Sequence, residues 1–488
     1  MNEELEKLAG IVGRENTSDA PELLEAYSQD MSFALPVKPW SVVKPNDMHE
    51  LQEVVKWANH TRTPLVPVSS GSPHFHGDTV PGVPGSVIVD LCRMNRIIRI
   101  DRRNRMVIIE PGVTYNQLQP ELANEDLRLS TPLLPRSAKS VIASLLEREP
   151  TLVPKYHWSM LEPLRCLEVI WGNGEMIRTG EASLYGSLER QWEMKLAQVN
   201  PAGRGQVDYY RLVSAAQGGM GIATWASVKC EVLPKIHKLF FIPSERLDGL
   251  IDCAYKLLRF RLGDEFLLLN SSNMAAILGD KADRIRVLKE KLPPWVIIIG
   301  IAGRDKLPEE RVEYQEKDIR DIANQFNLQL LSVIPGASDN QVIEVLLSSS
   351  REPYWKLTDK GGCQDIFFIT TLDRTPDFVK AMYSVSEDLE YPTSEIGIYI
   401  QPQHQGTVCH CEFNLPYNPA QPNESIKIRE FFARASDVLI KQGAFFSRPY
   451  GIWADMVYDR DAQSAILLRK MKGIFDPNNV LNPGKLCF

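Results

Sequence analysis

Cysteine motifs that bind metals or clusters are missing from this sequence. Its eight cysteines are scattered, with no CxxC pair and no group of four. An iron–sulfur centre needs about four closely placed ligands, mostly thiolates, so the chain is predicted to carry none of its own. The one close pair, Cys409 and Cys411, would share one face of a strand. Reduced thiols in a reducing compartment are therefore expected rather than disulfides.

Long apolar runs and clusters of positive charge are also scarce. The longest apolar run, Trp295 to Ala302, is far too short to span a membrane and is predicted to be a buried strand. The N-terminal segment MNEELEKLAG is acidic and lacks the apolar core of a secretory signal. The net charge is −7, and no basic stripe is present. These features predict a cytoplasmic protein with no membrane span and no affinity for nucleic acid.

Two common nucleotide-binding motifs, GxGxxG and the Walker A sequence, are absent, so a Rossmann or P-loop fold has no support. The segment from Pro64 to Asp90, PLVPVSSGSPHFHGDTVPGVPGSVIVD, instead places small residues directly after an apolar strand. Backbone N–H groups in such a run can converge on an anion, and serine hydroxyls add donors. A loop of this kind can hold a pyrophosphate without a lysine. The same pattern is also typical of a surface turn between two strands.

The length of 488 residues and a change of pattern predict two domains and a C-terminal return. Residues 1–237 contain a β-α-β unit that ends in the Pro64–Asp90 segment, where ligands of α/β units gather. Residues 238–445 are predicted to form an α+β layer of antiparallel strands with helices on one side. Residues 446–488 end in a rigid, proline-containing segment that is expected to pack on the first domain.

Individual elements of the second domain follow from its hydrophobic pattern. Its strands are predicted at Leu239–Ile242, Trp295–Ile301, Gln329–Val333, Ile366–Thr371, Gly397–Ile400 and Val408–Leu415. Its helices are predicted at Glu245–Phe260, Glu309–Phe326, Asn340–Ser350, Asp377–Leu389 and Glu424–Lys441.

Local signals in the first domain place two helix starts and one hairpin. Asp47 and Thr114 are predicted to be N-caps, since each precedes a helical pattern and can accept hydrogen bonds from the first turn. Gly172-Asn173-Gly174 predicts a hairpin turn. The glycines of Gly218–Thr224 enter a strand, which permits a close approach of the backbone to a ligand.

Six segments carry the strongest indication of function when they are taken in order. They are VPVSSGSPHFHG, VPGSVIVDLCRMNRII, IIEPGVTYNQL, GNGEMIRTG, GGMGIATWASVKCEVLP and FDPNNVLNPGKL. Together they resemble the vanillyl-alcohol oxidase / p-cresol methylhydroxylase (PCMH) family of FAD-linked oxidoreductases, and the resemblance covers most of the chain. It implies FAD as cofactor and an α+β fold of two domains. These are a PCMH-type FAD-binding domain and a cap domain with an antiparallel sheet.

The resemblance also implies which residues bind FAD. They belong to a pyrophosphate loop, a turn by the flavin, a second FAD contact and a strand that approaches the ring. By position they are Pro67, Val68, Ser69, Ser70, Gly71, Ser72, Pro73, His74, Pro111, Gly112, Ser140, Val141, Ser144, Gly221 and Ile222.

Two residues are implied to act near the reacting atoms. Arg448, in FFSRPYG, corresponds to an arginine near the flavin and the substrate anion, and it would stabilise charge that develops when flavin N5 accepts a hydride. A plain ion pair is the alternative for this residue. Tyr115 matches the turn by the flavin, where it would donate a hydrogen bond to substrate or pack against the cap.

Several positions depart from the family's pattern. Ser447 stands where the phenol-oxidising members have a tyrosine, and the segment Thr131–Leu134 contains no acid where they have a carboxylate base. Arg136 and Lys139 lie in the region of a glycine-rich turn. Asp365 lies near the position of the residue that tethers FAD covalently. These departures predict non-covalent FAD and argue against a para-alkylphenol substrate.

A histidine-rich stretch, QPQHQGTVCHCEF, offers further chemistry in the cap. His410 and Glu412 alternate on a predicted strand and therefore share a face. They could be ordinary strand residues, a general base at the flavin, or, with His404, metal ligands. We expect His410 to be the base and no metal to be bound. His74 and His76 are expected to pack or hydrogen bond near the FAD loop.

Three functions remain open at this stage. The first is an FAD-dependent dehydrogenase or oxidase that takes a hydride from a small alcohol, hydroxy acid or aromatic substrate onto flavin N5. The second is a flavoprotein subunit that passes electrons to an acceptor or partner subunit. The third is a structural subunit that has lost FAD, for which Arg136 and Lys139 are the best argument. We also expect an oligomer.

Overall fold

The computed structural model describes residues 2–155, 163–184, 186–203 and 208–488. None of its described helices combines the length and apolar character needed to cross a bilayer. In chain order the helices are α1 (Asn2–Val12), α2 (Pro21–Ala26), α3 (Met48–Thr61), α4 (Tyr115–Asn124), α5 (Val141–Leu146), α6 (Leu188–Glu193), α7 (Tyr210–Val213), α8 (Asp248–Arg259), α9 (Ser271–Leu278), α10 (Ala282–Lys291), α11 (Pro308–Gln325), α12 (Asp339–Leu347), α13 (Thr375–Asp388), α14 (Pro422–Lys441), α15 (Ile452–Tyr458) and α16 (Ala462–Phe475).

The strands are short in the first domain and longer in the second. In chain order they are β1 (Thr17–Ser18), β2 (Ser41–Val43), β3 (Leu65–Val68), β4 (Val87–Asp90), β5 (Ile97–Asp101), β6 (Met106–Ile109), β7 (Leu127–Arg128), β8 (Leu164–Trp171), β9 (Met176–Arg178), β10 (Gly221–Lys229), β11 (Glu231–Val232), β12 (Ile236–Ser244), β13 (Phe266–Asn270), β14 (Trp295–Gly303), β15 (Val333–Ile334), β16 (Ala337–Ser338), β17 (Gly362–Thr370), β18 (Gly397–Gln403) and β19 (Val408–Tyr417).

The first domain is built on two sheets. The smaller has the order β1-β2-β4-β3, with β2, β4 and β3 parallel and β1 antiparallel at its edge. The larger, β5-β6-β10-β8-β9, is antiparallel. Ligands gather at the carboxyl ends of parallel strands, so the loop that leaves β3 begins at a favourable place for one.

Both predicted N-caps are present, as is the predicted hairpin between β8 and β9. The Asp47 carboxylate accepts hydrogen bonds from the N–H groups of His49 (2.8 Å) and Glu50 (3.0 Å) at the start of α3. The Thr114 hydroxyl accepts one from the N–H of Gln117 (3.4 Å) at the start of α4. The helix α3 packs on the sheet that contains β3, and α4 packs on the larger sheet of the same domain.

The second domain is built on one antiparallel sheet with the order β12-β14-β13-β18-β19-β17. Its first strand begins at Ile236. The apolar run that predicted a buried strand is β14, in which every residue is buried.

Helices cover both faces of this sheet, which corrects the expectation of helices on one side. Leu239 and Phe241 of β12 pack with α9, α10 and α12, whereas Phe240 and Ile242 pack with α8, α11, α13 and α14. The reason lies in β14, which is apolar at both alternating sets of positions. A strand of this kind must be covered on each face.

The C-terminal segment packs on the first domain beside β3. The N–H of Leu65 donates to the carbonyl of Val480 (2.7 Å), and the N–H of Asn482 donates to the carbonyl of Leu65 (2.8 Å). The buried carboxylate of Asp476 accepts from the N–H groups of Val480 (2.9 Å) and Leu481 (2.8 Å). The strand that leads into the small-residue loop is thereby supported by the last residues of the chain.

The prediction of reduced thiols agrees with the structure. All eight cysteines are free, and only Cys92 is exposed.

Candidate active site

A deep cleft lies between the two domains. It contains about 1570 Å³ of space, counting the part that is open to solvent. One wall comes from the loop after β3, the segment before α5 and the turn into β10, and the other comes from the cap strands β17, β18 and β19. Pockets for drug-sized ligands measure roughly 300–1,000 Å³, so the cleft has room for a long cofactor and a small substrate.

The loop after β3 presents backbone donors at this cleft. Ser69, Ser70, His74, Phe75 and His76 all line it. Within the described part of the chain, no group accepts a hydrogen bond from the N–H groups of His74, Phe75 or His76. Successive unpaired N–H groups are the donors that an anion such as pyrophosphate requires.

The segment that precedes α5 closes against this loop. The N–H of Gly71 donates to the carbonyl of Ala138 (2.8 Å), and Arg136 Nη1 donates to the carbonyl of Gly71 (2.6 Å). A Cβ atom on Gly71 would lie 2.9 Å from the Cβ of Ala138. The Ser140 N–H donates to the Ser70 hydroxyl (3.0 Å). Gly71 is therefore needed for contact between two loops, and it does not line the cleft.

Buried charges of both signs lie in the part of the cleft beside the loop after β3 and the segment before α5. Lys139 Nζ donates to the Glu147 carboxylate (2.5 Å) and lies 3.6 Å from Glu149. Burial raises the pKa of Glu147 to about 7, although Lys139 opposes the shift. Burial also disfavours ionised Glu149, but Lys139, the hydrogen bond from Ser144 and Arg448 together outweigh it and hold the pKa of this carboxyl below its usual value. With Arg136 beside them, these groups leave this part of the cleft free of strong negative charge.

The residues implied to bind FAD fall into two sets. Those that line the cleft are Pro67, Val68, Ser69, Ser70, His74, Pro111, Gly221, Ile222 and Arg448. Those that lie beside them without lining it are Gly71, Ser72, Pro73, Gly112, Ser140, Val141 and Ser144. Several of the second set hold the first in place. The Ser140 hydroxyl, for example, donates to the carbonyl of Pro111 (2.5 Å) and caps α5.

Tyr115 does not reach the cleft. Its side chain is 1% exposed and packs in the core of the first domain. Its hydroxyl donates to the hydroxyl of Ser144 (2.9 Å), which in turn donates to Glu149. Burial raises the pKa of this phenol far above its usual value. The expected contact with substrate is thus replaced by a contact that orients Glu149, because α4 turns the ring inward.

A row of side chains from three neighbouring strands forms the cap wall. Tyr399 of β18, Glu412 of β19 and Phe367 of β17 are paired in register, and all three line the cleft. Asp365 also lines it, since it lies two residues before Phe367 and side chains alternate along a strand.

Lys356 joins two carboxylates of this wall. Its Nζ lies 2.6 Å from Asp365 and 2.7 Å from Glu412, and Asn414 donates to both carboxylates. Burial raises the pKa of Asp365 against the pull of Lys356. Burial also opposes ionisation of Glu412, but Lys356 and His410 together outweigh it and hold this pKa well below the usual range. The result is a fixed polar patch opposite the FAD loop.

His410 lies behind the row rather than in it. It is 1% exposed, it does not line the cleft, and its Nε2 lies 2.9 Å from Glu412. The rings of Phe367 and Tyr399 pack against it, and burial lowers its pKa. The expectation that His410 meets the substrate is therefore revised, because Glu412 stands between them.

The metal alternative for the cap histidines has no geometric support. His404 is exposed in a turn after β18, whereas His410 is buried in β19. Among the residues that the structure describes, no group of three His, Cys, Asp or Glu side chains is placed to hold a metal ion.

Two buried polar groups at the cleft lack hydrogen-bond partners among the residues that the structure describes. Arg448 is 6% exposed, and its guanidinium lies 4.1 Å from the centre of the Phe367 ring. No described residue forms an ion pair or hydrogen bond with it, so the ion-pair alternative is not observed there. The indole N–H of Trp355 likewise has no acceptor among the described residues. Such groups are costly unless a ligand satisfies them.

Several residues of the wall are not singled out by sequence patterns. Glu147, Glu149 and Lys356 belong to no recognisable motif. Asp365 and Glu412 do carry a signal, since each is a charged residue within an apolar strand sequence. A charge buried in this way needs a partner or a function.

Comparisons with known proteins agree with a flavin site. A family model described as FAD binding domain matches residues 39–180, and one described as FAD linked oxidases, C-terminal domain, matches residues 266–486. The class defined by the fold and the cleft is thus a flavoprotein oxidoreductase. The chain belongs to the FAD-linked oxidoreductases, and its cofactor is FAD. The backbone donors, Arg136 and the size of the cleft fit this cofactor.

Similar proteins span nearly the full chain. It is 22% identical over 529 residues to the 4-cresol dehydrogenase (hydroxylating) flavoprotein subunit of Pseudomonas putida, covering 99% of this chain and 95% of that protein. It is 23% identical over 497 residues to glycolate oxidase subunit GlcD of Bacillus subtilis (strain 168), with coverages of 99% and 96%. It is 21% identical over 478 residues to D-lactate dehydrogenase of Anaerostipes hadrus, with coverages of 96% and 94%.

Solved structures define the fold. p-Cresol methylhydroxylase with substrate bound superposes with a TM-score of 0.84 at 19% identity, covering 100% of this chain and 96% of that one. 4-Ethylphenol oxidase from Gulosibacter chungangensis superposes with a TM-score of 0.83 at 18% identity, with coverages of 99% and 96%. The chain therefore has the two-domain α+β fold of the PCMH type.

Proposed function

We propose that the protein oxidises a small hydroxylated organic anion, such as a 2-hydroxy acid, with FAD as the oxidant. The observation that carries the proposal is Arg448, a buried guanidinium on the cleft wall with no anionic partner among the described residues. Leaving a buried charge unpaired is costly, so an anion supplied by the substrate is its natural partner.

The rest of the pocket is compatible with such a substrate. Tyr354, Trp355, Phe367 and Tyr399 line the cleft and supply apolar surface for an organic skeleton. The polar patch around Lys356 lies on the same wall and can bind a hydroxyl or carbonyl oxygen. The relatives named glycolate oxidase subunit and D-lactate dehydrogenase support the hydroxy acid class.

FAD, when bound, supplies the acceptor for two electrons and one hydrogen. The loop that includes Ser69 and His74 and the guanidinium of Arg136 would hold its pyrophosphate. We propose that it is held without a covalent bond, since Asp365 is engaged by Lys356 and Asn414. After acid precipitation, FAD should appear in the supernatant, and a yellow pellet would contradict this.

Arg448 can be tested with matched substrates. FAD-loaded protein should lose its visible flavin absorbance under anaerobic conditions with mandelate, lactate or glycolate, and much less with the corresponding diols. Replacement of Arg448 by Met should lower kcat/KM for the acids by about 10²–10³-fold, because a buried charge pair is worth roughly 3–5 kcal/mol. The kcat/KM for a diol should change far less.

Arg434→Met is the matched control, since Arg434 is an exposed arginine that lies 3.3 Å from Asp388 on the surface. It should leave the ratio of acid to diol unchanged. Equal bleaching by acids and diols in the parent protein, or an unchanged ratio in Arg448→Met, would contradict the proposal.

A second candidate role is that of a flavoprotein subunit in a larger assembly. Two relatives carry the word subunit in their names, 4-cresol dehydrogenase and glycolate oxidase. In that case the isolated protein should be reduced by substrate but turn over slowly until a partner is added. Co-purification from the source cells tests this, and the mass in solution tests the predicted oligomer. A cytoplasmic location stays a prediction for cell fractionation.

A further inference from the structure

His76 is an imidazole held by rings at the edge of the cleft. Its ring stacks on that of Tyr450, with centroids 4.5 Å apart and an interplanar angle of 21°. It meets the ring of Phe367 edge to face, with centroids 5.6 Å apart. Burial raises the pKa of Tyr450 well above its usual range, so this neighbour is a neutral phenol. The two rings fix the plane of the imidazole without using its nitrogens.

The nitrogens of His76 have no hydrogen-bond partner in the part of the chain that the structure describes. No described residue forms a hydrogen bond with them, and they are not closed off from the space of the cleft, which His76 lines. Two other histidines with little exposure differ at Nε2, since Nε2 of His237 lies 2.7 Å from Glu265 and Nε2 of His410 lies 2.9 Å from Glu412, although Nδ1 of each has no partner among the described residues. A histidine that only stabilises the fold is expected to engage at least one of its nitrogens in the protein.

Burial, together with the charges around His76, keeps its imidazole neutral. Burial lowers its pKa well below the usual value, and the cations Lys139, Arg448 and Lys356 act in the same direction. Glu412 opposes them with a smaller effect. The ring is therefore in the form that accepts a proton throughout the neutral range.

We propose that His76 is a catalytic residue that accepts the hydroxyl proton of the substrate while Arg448 holds its anionic group. Both side chains lie against one ring, since the guanidinium of Arg448 is 4.1 Å and the imidazole of His76 is 5.6 Å from the centre of Phe367. A hydroxy acid spans such a pair of groups, because its carboxylate and hydroxyl are on neighbouring carbons. The inference rests on the proposed oxidation of a hydroxylated anion.

Two bonds of the substrate break in this oxidation. The O–H bond breaks and its proton passes to an imidazole nitrogen of His76. The C–H bond breaks and its hydrogen leaves with the electron pair to FAD, so the alcohol carbon becomes a carbonyl. The imidazolium later returns its proton to water in the cleft.

Two substitutions of His76 distinguish a role in proton transfer from a role in packing. His76→Phe keeps a ring between Tyr450 and Phe367 but lacks nitrogens, and His76→Ala opens space for added imidazole. Both should lower kcat/KM for the acid substrate by about 10²–10⁴-fold, the usual contribution of a general base. Imidazole in the buffer should restore part of the activity of His76→Ala.

The pH profile supplies a readout that a packing role would not change. The parent protein should show a flat rate across neutral pH, because its base is already neutral. The rate of His76→Phe should rise about tenfold per pH unit, since hydroxide from solution replaces the imidazole as the base. His60→Ala, on the exposed surface of α3, is the control and should match the parent protein.

Binding supplies a readout that does not depend on turnover. 2-Hydroxy-2-methylpropanoate carries the carboxylate and the hydroxyl, but the carbon that bears the hydroxyl has no hydrogen that could be transferred. 2-Methylpropanoate lacks the hydroxyl. His76→Phe should weaken binding of the first about tenfold, which corresponds to one hydrogen bond, and leave the second unchanged. FAD content, measured by absorbance, should equal that of the parent protein.

Full activity of His76→Phe, or a loss with a flat pH profile and no rescue of His76→Ala, would overturn the assignment. A wrong proposed function would give a different result from a wrong assignment of His76. In that case no hydroxy acid would bleach the flavin of the parent protein.

Discussion

Lys356 illustrates at the scale of one residue how burial changes the value of an ion pair. Its Nζ lies 2.6 Å from Asp365, the same distance as Nζ of Lys441 from Asp437. The side chain of Lys356 is 9% exposed, whereas that of Lys441 is 64% exposed. An exposed pair contributes roughly 0–1 kcal/mol, but removing one member of a buried pair costs about 3–5 kcal/mol. The same geometry therefore has different consequences.

Replacement of Lys356 by Met should destabilise the protein by about 3–5 kcal/mol at pH 8, because Asp365 and Glu412 would then face each other without the cation that lies between them. The pKa of one of them should rise further above its value in the unfolded chain. A raised pKa stabilises the folded state below the unfolded pKa, and this contribution is lost as the pH rises. The loss of stability should therefore shrink as the pH is lowered from 8 to 5.

Urea denaturation at several pH values measures this effect. Lys441→Met is the matched control and should change the free energy of unfolding by less than about 1 kcal/mol at every pH. A loss for Lys356→Met that is small, or that does not depend on pH, would mean that the cluster tolerates two carboxylates without the cation that lies between them.

At the scale of the element, α16 connects the C-terminus to the cofactor site. The buried Nζ of Lys472 donates to the carbonyl of Gly219, to the carbonyl of Leu481 (2.8 Å) and to Asp476 (2.9 Å). Gly219 lies in the turn that enters β10, whose first residue, Gly221, lines the cleft. One buried side chain thus ties the helix, the tail and the cleft wall together.

Replacement of Asp476 by Ala should cost about 3–5 kcal/mol, because it leaves a buried ammonium and two N–H groups without their partner. We also expect weaker FAD binding, since the tail supports β3 and the turn before β10. Thermal unfolding and FAD retention during gel filtration measure the two effects.

The start of the same helix provides the control. The Asp461 carboxylate accepts from the N–H of Ser464 (3.1 Å) in an exposed N-cap. Asp461→Ala should therefore destabilise the protein much less than Asp476→Ala and leave FAD binding unchanged. Equal effects of the two substitutions would show that the tail does not support the site.

At the scale of the whole molecule, a buried carboxylate joins the two domains. Glu265 of the cap lies 2.8 Å from Arg128 of β7 in the first domain and 2.7 Å from His237 of β12. Burial opposes its ionisation, but Arg128 and His237 outweigh it and lower the pKa of Glu265 to about 2. The ionised form is therefore the one that holds the domains together.

Replacement of Glu265 by Gln should lower the free energy of unfolding by about 3 kcal/mol near pH 7. This is the stabilisation that corresponds to the lowered pKa of the Glu265 carboxyl. A lowered pKa stabilises the folded state above the unfolded pKa, and this contribution is lost as the pH falls through about 2. The difference between the proteins should thus decrease in acid. Urea denaturation at pH 3 and pH 7 measures it, with Glu316→Gln on the surface of α11 as control.

Much of the fold could be predicted from local patterns. The N-caps Asp47 and Thr114, the hairpin of β8 and β9, and α8, α11, α12, α13 and α14 follow from capping and periodicity, which depend on near neighbours in sequence. The strand β13 and the helices α9 and α10 were not predicted. The run FLLLNSSNMAAIL places four polar residues between two short apolar stretches, so neither the strand period nor the helix period is visible in it.

The candidate site was predictable only in part. The loop at Ser69 and the position of Arg448 are visible in sequence motifs, and both line the cleft. The role expected for His410 was not supported, because cross-strand register sets which side chain reaches the cleft first, and here Glu412 does. Register depends on pairing between distant strands and leaves no local trace.

The sequence by itself indicated the class of protein and the cofactor through its resemblance to a known family, and it indicated most elements through short-range patterns. Only the tertiary structure decided which groups are unpaired. Arg448 has no anionic partner among the described residues, and the ring of His76 stacks on that of Tyr450, which lies near the other end of the chain. Burial and pairing arise when segments hundreds of residues apart come together, and these conditions give a charge or an imidazole its chemistry.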